Sequence, residues 1–315
     1  LGLDARVLAA VEDLGYTRPS PIQEATIPLL LDGRDVVGLA QTGTGKTGAF
    51  ALPALARLAE TADVNGRADT PQVLVLAPTR ELALQVSEAF EKYAAHMKGV
   101  RVLPIYGGQG YGVQLSALRR GVHVVVGTPG RLIDLAQQKH LDLSAARTVV
   151  LDEADEMLDM GFAEDLEAIL DATPDKHQTA LFSATLPPRI ASIAERHLHA
   201  PVHVRIAKEK LAPGTGPRVR QTAYIVPRAF KAATLGRVLD VEAPTAAIVF
   251  CRTRTEVDEL TVSLNGRGWR AQALHGGMDQ AQRDRVGDQT GERGDHLLLA
   301  LAQGGVESDE VGGDE

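Results

Sequence analysis

The sequence predicts an α/β protein with two parallel-sheet domains in tandem, and three observations carry that prediction. Short β-branched or Leu-rich runs alternate with helical patterns up to residue 206, which indicates a parallel sheet covered on both faces. Residues 207–220 then lose all periodicity around Pro213, Gly214, Gly216 and Pro217, as a linker does. Beyond them the alternation restarts. The expected organisation is a first domain over 1–206, a linker over 207–220, a second domain over 221–301, and an acidic, Gly-rich, disordered tail over 302–315.

Taken in order, Val36-Val37-Gly38-Leu39 reads as a buried strand and residues 48–58 read as a helix. Between them lies Ala40-Gln41-Thr42-Gly43-Thr44-Gly45-Lys46-Thr47. A strand, a glycine-rich turn ending in Gly-Lys-Thr and a helix form a phosphate cradle. Gly43 and Gly45 let the backbone curl so that several N–H groups face one anion, and the helix N-terminus adds partial positive charge there. Lys46 has the length to reach β/γ-phosphates, and the Thr47 hydroxyl suits Mg²⁺. The chain should therefore bind a nucleoside triphosphate.

Further strands are expected at 73–76, 102–105, 122–126, 148–151, 179–182 and 202–206, with helices at 80–95 and 189–197. In the second domain the alternating pattern runs through 222–226, 230–239, 246–250, 256–265, 270–274 and 296–301. Cys251 lies in an apolar run and reads as a buried structural thiol, while Trp269 reads as a packing residue. His197, His199 and His203 flank a helix-to-strand turn with no cysteine or carboxylate cluster, so they read as surface residues rather than metal ligands.

The apolar fraction of 44% and the charged fraction of 23% are those of a globular domain. No apolar run approaches membrane-spanning length, and no charged-then-apolar leader opens the chain. A single cysteine fits a reducing compartment, so a cytoplasmic location is expected. The net charge is −8, but residues 289–315 carry seven acids against one arginine and account for −6 of it. The nearly neutral remainder does not exclude a nucleic-acid partner.

Asp152-Glu153-Ala154-Asp155 directly follows the strand at 148–151, where open α/β sheets bind ligands. There the first acid can hold a Mg²⁺ shell and the second can polarise the attacking water. Asp155 alone also fits a simple helix-capping role.

Asp-Glu-Ala-Asp gives its name to the DEAD-box ATP-dependent RNA helicases, and this sequence resembles that family over residues 15–185. The resemblance implies two RecA-like domains of the P-loop NTPase type, with ATP, Mg²⁺ and RNA as ligands. Gly15-Tyr16-Thr17-Arg18-Pro19-Ser20-Pro21-Ile22-Gln23 resembles the family's Q motif, implying nucleotide contacts for Tyr16, Arg18 and Gln23. A side-chain amide can both donate to and accept from the adenine edge, so Gln23 points to ATP rather than GTP. Residues 40–47 match the family's phosphate loop, implying nucleotide contacts for Thr42, Gly43, Thr44, Gly45, Lys46 and Thr47. Lys46, Asp152 and Glu153 would be catalytic, with Thr47 and Asp152 on the metal.

Pro78-Thr79-Arg80-Glu81-Leu82, Gly107-Gly108 and Thr128-Pro129-Gly130-Arg131 resemble the family's RNA-backbone motifs. Each follows an expected strand, so they should converge on one sheet edge. Thr79, Gly108 and Thr128 can bond phosphate oxygens, and Arg80 and Arg131 add charge. None reads a base edge, so sequence-tolerant binding is expected. Ser183-Ala184-Thr185, with Asp155, resembles the element coupling ATP state to strand separation.

The second domain matches less completely. Ile248-Val249-Phe250-Cys251-Arg252-Thr253 and Leu274-His275-Gly276-Gly277-Met278, with Gln282 and Arg283, resemble its first two motifs. Arg252 and Gln282 read equally as RNA-facing or as solvated surface. The family's Thr-Asp…Arg-Gly pair and its His-Arg-x-Gly-Arg-x-x-Arg stretch should follow. The chain instead reads Leu301-Ala302-Gln303-Gly304-Gly305-Val306-Glu307. The second domain is therefore expected to be truncated, whether by nature, frame error or fragmentation. The resemblance implies a helicase that separates short RNA duplexes or remodels RNA–protein complexes. The missing arginines leave a poorly hydrolysing, ATP-gated RNA-binding module as the alternative.

Overall fold

The computed structural model describes residues 2–60, 70–206, 220, 222–275 and 278, together with the backbone of 296–301. Two compact units divide between Leu211 and Ala212. The expected linker lies almost wholly outside the described residues, as do the tail, Gln282 and Arg283.

The first unit runs α1 (Ala5–Asp13), α2 (Pro21–Leu31), β1 (Val36–Leu39), α3 (Lys46–Ala59), β2 (Val73–Leu76), α4 (Arg80–Tyr93) and β3 (Val102–Ile105). It continues through α5 (Tyr111–Arg119), β4 (Val124–Gly127), α6 (Pro129–Gln137), β5 (Thr148–Leu151) and α7 (Ala154–Asp159). It ends with α8 (Ala163–Asp171), β6 (Gln178–Ser183), α9 (Pro188–His197) and β7 (Val202–Arg205). The seven strands form one parallel sheet in the order β3-β4-β2-β5-β6-β1-β7. Strands β1, β2, β4, β5 and β6 are buried along their whole length, which explains their unbroken apolar runs.

One apolar cluster on the sheet includes Ile22, Phe50, Leu55, Phe90 and Phe182, and a second includes Leu74, Leu132, Leu151, Leu166 and Ile190. Gly38 lies against the Phe182 ring, where an added Cβ would approach within 2.6 Å. The sheet could not pack there with a larger residue.

All seven strands run the same way, so their C-terminal ends share one edge. The loops after β5, β6 and β1 occupy adjacent positions on it, and those after β3, β4 and β2 occupy the other half. The strand order therefore gathers residues far apart in sequence into two neighbouring groups.

The second unit holds α10 (Lys231–Glu242), β8 (Ala246–Cys251), α11 (Arg254–Asn265), β9 (Ala271–Leu274) and β10 (His296–Leu301). Its parallel sheet has the order β8-β10-β9. Leu239, Val257, Leu264 and Ala271 form a small core against which Trp269 packs, as the sequence suggested. The run 222–226 departs from expectation and forms no regular element. Ile225 is fully exposed there, and none of the described residues pairs with it to give its β-branched side chain a packed face. Cys251 also departs from expectation: it is half-buried rather than buried, packed at the end of β8 against the edge of that small core. Burial still raises its thiol pKa, with a smaller contribution from Glu256.

Candidate active site and nucleic-acid interface

The turn after β1 follows from its glycines. Gly43 has φ +80° and Gly45 φ +91°, both in the left-handed region that L side chains rarely adopt. Gly45 is the N-cap of α3, so Lys46 and Thr47 form that helix's first turn. At Gly45 an added Cβ would lie 2.8 Å from both Gln23 Nε2 and Ser20 Oγ.

Gln23 bridges the two motifs. Its Oε1 accepts from Ser20 N at 2.9 Å, and its Nε2 donates to Gly45 O at 3.0 Å. One amide hydrogen and one lone pair remain, a complement that suits an adenine edge. Beside Gln23 lies a cavity of about 220 Å³ lined in part by Tyr16, Arg18, Leu52 and Tyr93. Tyr16 is 55% exposed, and its ring centroid lies 6.4 Å from that of Tyr93. Burial, and then Tyr16, pushes the Tyr93 hydroxyl pKa up. Tyr93, at the far end of α4, carries no spacing signal and was not singled out.

The acidic segment meets the cradle across β6. Glu153 Oε1 lies 3.5 Å from Lys46 Nζ and accepts from Thr42 Oγ1 at 3.3 Å. Lys46 is 5% exposed, Asp152 5% and Glu153 6%. Lys46 Nζ and Asp152 Oδ1 are buried without a hydrogen-bond partner. Such groups carry a desolvation cost that a bound ligand can offset. Burial pushes Asp152 up to about 7; Lys46 opposes this and Glu153 adds to it. Glu153 caps α7 with φ +53°, a left-handed conformation costing about 1–3 kcal/mol. Its carboxylate contacts to Lys46 and Thr42 help to hold it there. An ammonium and a carboxylate facing a glycine cradle fit a triphosphate and a divalent cation.

Asp155 lies beside them. Its Oδ2 accepts from Thr185 N and Thr185 Oγ1, both at 2.8 Å, and its N–H donates to Ser183 Oγ at 3.3 Å. Burial raises the Asp155 pKa, but these hydrogen bonds outweigh it and leave the carboxyl below its ordinary value. Asp155 thus ties the start of α7 to the turn after β6, beyond a capping role.

On the other half of the edge, Thr79 caps α4 by accepting from Leu82 N at 3.2 Å. The Arg80 guanidinium sits 4.7 Å from the Tyr106 ring centroid, and its buried Nε has no partner. Gly108 has φ +83° on an exposed turn, and Thr128 caps α6. Arg131 stacks 4.2 Å from the Tyr111 ring centroid, and its Nη1 donates to Gln109 O and Gln114 Oε1 at 3.2 and 3.3 Å. Gln114 is fully buried, and its Nε2 donates to Tyr106 O and Gln109 Oε1, both at 3.0 Å. Gln114 therefore joins the turn after β3 to Arg131. A buried glutamine inside a helix carries no spacing signal, and sequence reading missed it.

The residues singled out after β1, β5 and β6 are brought together, as are those after β2, β3 and β4. Arg252, in the second unit, is exposed; its backbone N–H donates to Glu256 Oε2 at 3.1 Å. Among the described residues no group of His, Cys, Asp or Glu could hold a metal by itself, and no helix is long and apolar enough to cross a membrane. His199 and His203 are exposed, whereas His197 is only half-buried at the end of α9.

A family model described as DEAD/DEAH box helicase matches residues 20–193, more than half of the chain. The chain belongs to the DEAD/DEAH box helicase family. A second model, described as helicase conserved C-terminal domain, matches residues 230–305. The ATP-dependent RNA helicase DeaD of Mycobacterium tuberculosis is 52% identical over 286 residues, 91% of this chain and 49% of its own length. DeaD of Escherichia coli is 50% identical over 91% of this chain and 44% of its own length. The DEAD-box ATP-dependent RNA helicase CshA of Bacillus cereus is 48% identical over 91% and 53%. The chain spans about half the length of these relatives. The crystal structure of a DEAD box protein from Methanococcus jannaschii aligns with a TM-score of 0.60 at 33% identity, covering 96% of this chain and 78% of that one. The fold is accordingly the RecA-like α/β architecture of this family.

Proposed function

We propose that this chain is an ATP-dependent RNA helicase unit whose ATP hydrolysis drives local separation of short RNA duplexes or remodelling of RNA–protein complexes. The observation that carries this reading is the buried Lys46–Glu153 pair beside the glycine turn, with Lys46 Nζ and Asp152 Oδ1 left without partners. The names of the relatives support it. Residues 1–206 would bind ATP and RNA, and 221–301 would form the second RecA-like domain, joined by 207–220.

In this reading Tyr16, Arg18 and Gln23 hold the adenine end. Backbone N–H groups of Thr42, Gly43, Thr44, Gly45 and Thr47 cradle the phosphates, and Lys46 neutralises the terminal ones. Thr47 and Asp152 would hold Mg²⁺, which when bound spreads the charge of the phosphate oxygens. Glu153 orients the attacking water and takes its proton. Its link to Lys46 and Thr42 sets the carboxylate at the mouth of the cradle. Thr79, Arg80, Gly108, Thr128 and Arg131 hold the RNA backbone without reading bases. Asp155, Ser183 and Thr185, which tie the loops after β5 and β6 together, would couple the state of the nucleotide to strand separation. We place the protein in the cytoplasm on its single cysteine.

Phosphate release measured with and without RNA, and again with DNA, tests this reading. RNA-stimulated release is expected. ATP-dependent RNA binding with no stimulated release would favour the ATP-gated binding module instead.

A further inference from the structure

The opposite, N-terminal edge of the first sheet carries a basin of about 600 Å³. Its basic residues come from separate loops: Arg34 before β1, Arg147 before β5, Lys176 and His177 before β6, and His199 before β7. Arg57, in the last turn of α3, joins them. Strands β5, β6, β1 and β7 are consecutive neighbours, so these loops line up in that order. At about 4.8 Å between strands, Arg147 to His199 form a row about 14 Å long.

The basin's acids do not neutralise the row. Asp35 Oδ1 accepts from Thr179 N at 2.8 Å and its Oδ2 from His199 N at 2.6 Å, and Oδ2 lies 3.8 Å from His199 Nδ1, so it is committed to the loops before β6 and β7. Asp175 is the other lining acid. Arg34, Arg57, Arg147 and Lys176 make no ion pair among the described residues. Arg57 is nonetheless fixed, because its Nη1 donates to Gln178 Oε1 at 3.0 Å and Gln178 Nε2 donates to Leu30 O and Arg34 O. Gly33 leaves room for it, since an added Cβ would lie 3.0 Å from Arg57 Nη1.

We propose that this basin is a second RNA-backbone contact, reached only by strands long enough to pass beyond the motifs on the C-terminal edge. Arg34, Arg147 and Lys176 are exposed and sit on separate loops, so they present an open row rather than a closed pocket. Arginine and lysine side chains without ion pairs, set out along a row in a chain of net −8, suit a repeating polyanion better than a single small anion. The inference rests on the RNA-binding reading above and assigns that reading a second surface.

The test is a paired Arg147→Gln and Lys176→Gln variant of the full chain, titrated with a short oligoribonucleotide and with a single strand several times longer across a range of salt. For the long strand the slope of log affinity against log salt should fall by about 1.4, two contacts at about 0.7 each. Affinity for the short strand and the rate of ATP hydrolysis at saturating RNA should not change. Identical slopes for parent and variant on the long strand would overturn the proposal, as would an equal loss for both lengths. A parent chain that binds the short strand normally while the variant matches it on the long one removes the basin alone. A parent that binds neither strand removes the functional reading as well.

Discussion

The two halves of the first sheet's C-terminal edge are built on opposite electrostatic plans. In the half after β5, β6 and β1, charged groups are buried and incompletely paired: Lys46 Nζ and Asp152 Oδ1 lack hydrogen-bond partners, and Glu153 is held in a left-handed conformation. In the half after β3, β4 and β2, the guanidiniums are half-buried and rest on neighbouring side chains, although Arg80 Nε is also without a hydrogen-bond partner. Tyr106 lies under Arg80, while Tyr111, Gln109 and Gln114 hold Arg131. The first half needs a ligand to complete it, as a site for a small, highly charged substrate does. In the second, Arg131 is held by hydrogen bonds before any ligand arrives, which suits a repeating backbone whose sequence varies.

That difference can be broken experimentally, and the largest effect is expected in the incomplete half. Glu153→Gln should lower ATP hydrolysis about 10²–10⁴-fold while leaving ATP and RNA binding in place, read by phosphate release beside equilibrium titrations. A smaller change is expected where the cradle meets Gln23. Gly45→Ala must place a Cβ at φ +91° and 2.8 Å from Gln23 Nε2, at a cost of about 1–2 kcal/mol in backbone conformation. ATP affinity by calorimetry should fall about tenfold, and an unchanged affinity would show that the turn tolerates side chains. In the second half, Gln114→Leu leaves Tyr106 O, Gln109 Oε1 and Arg131 Nη1 without that partner. RNA affinity should fall about tenfold with ATP affinity unaltered, as expected for one lost buried polar network.

The smallest effect concerns Asp155, which ties the loops after β5 and β6 together within the incomplete half. Asp155 has its pKa lowered in the folded chain, so its stabilisation is present above the ordinary aspartate value and is lost as pH falls through the folded pKa. The difference in melting temperature between the parent and Asp155→Asn should be visible at neutral pH and shrink under acid conditions. A difference independent of pH would mean that the Thr185 contacts contribute nothing through charge.

How much of this could be read from the sequence follows from where each signal is encoded. Strands β1, β2 and β5 announce themselves as unbroken apolar runs because both faces are buried. The cradle is legible because its glycines, Lys46 and Thr47 are contiguous. Gln114 and Tyr93 were not, because each acts on residues from another element and neither position differs in pattern from its own helix. The basin was hidden for the same reason: its basic residues are scattered over five segments between Arg34 and His199. The run 222–226 misled because β-branched composition describes a surface that needs a sheet neighbour, and none of the described residues supplies one.

The central claim is that hydrolysis and RNA affinity are divided between adjacent halves of one sheet edge. Its most direct test is the rate of ATP hydrolysis as a function of RNA concentration for the parent, Gln114→Leu and Glu153→Gln. Gln114→Leu should raise the half-saturating RNA concentration about tenfold and keep the maximal rate, whereas Glu153→Gln should lower the maximal rate and keep the RNA affinity. A Gln114→Leu variant that loses maximal rate at unchanged half-saturation would contradict the division.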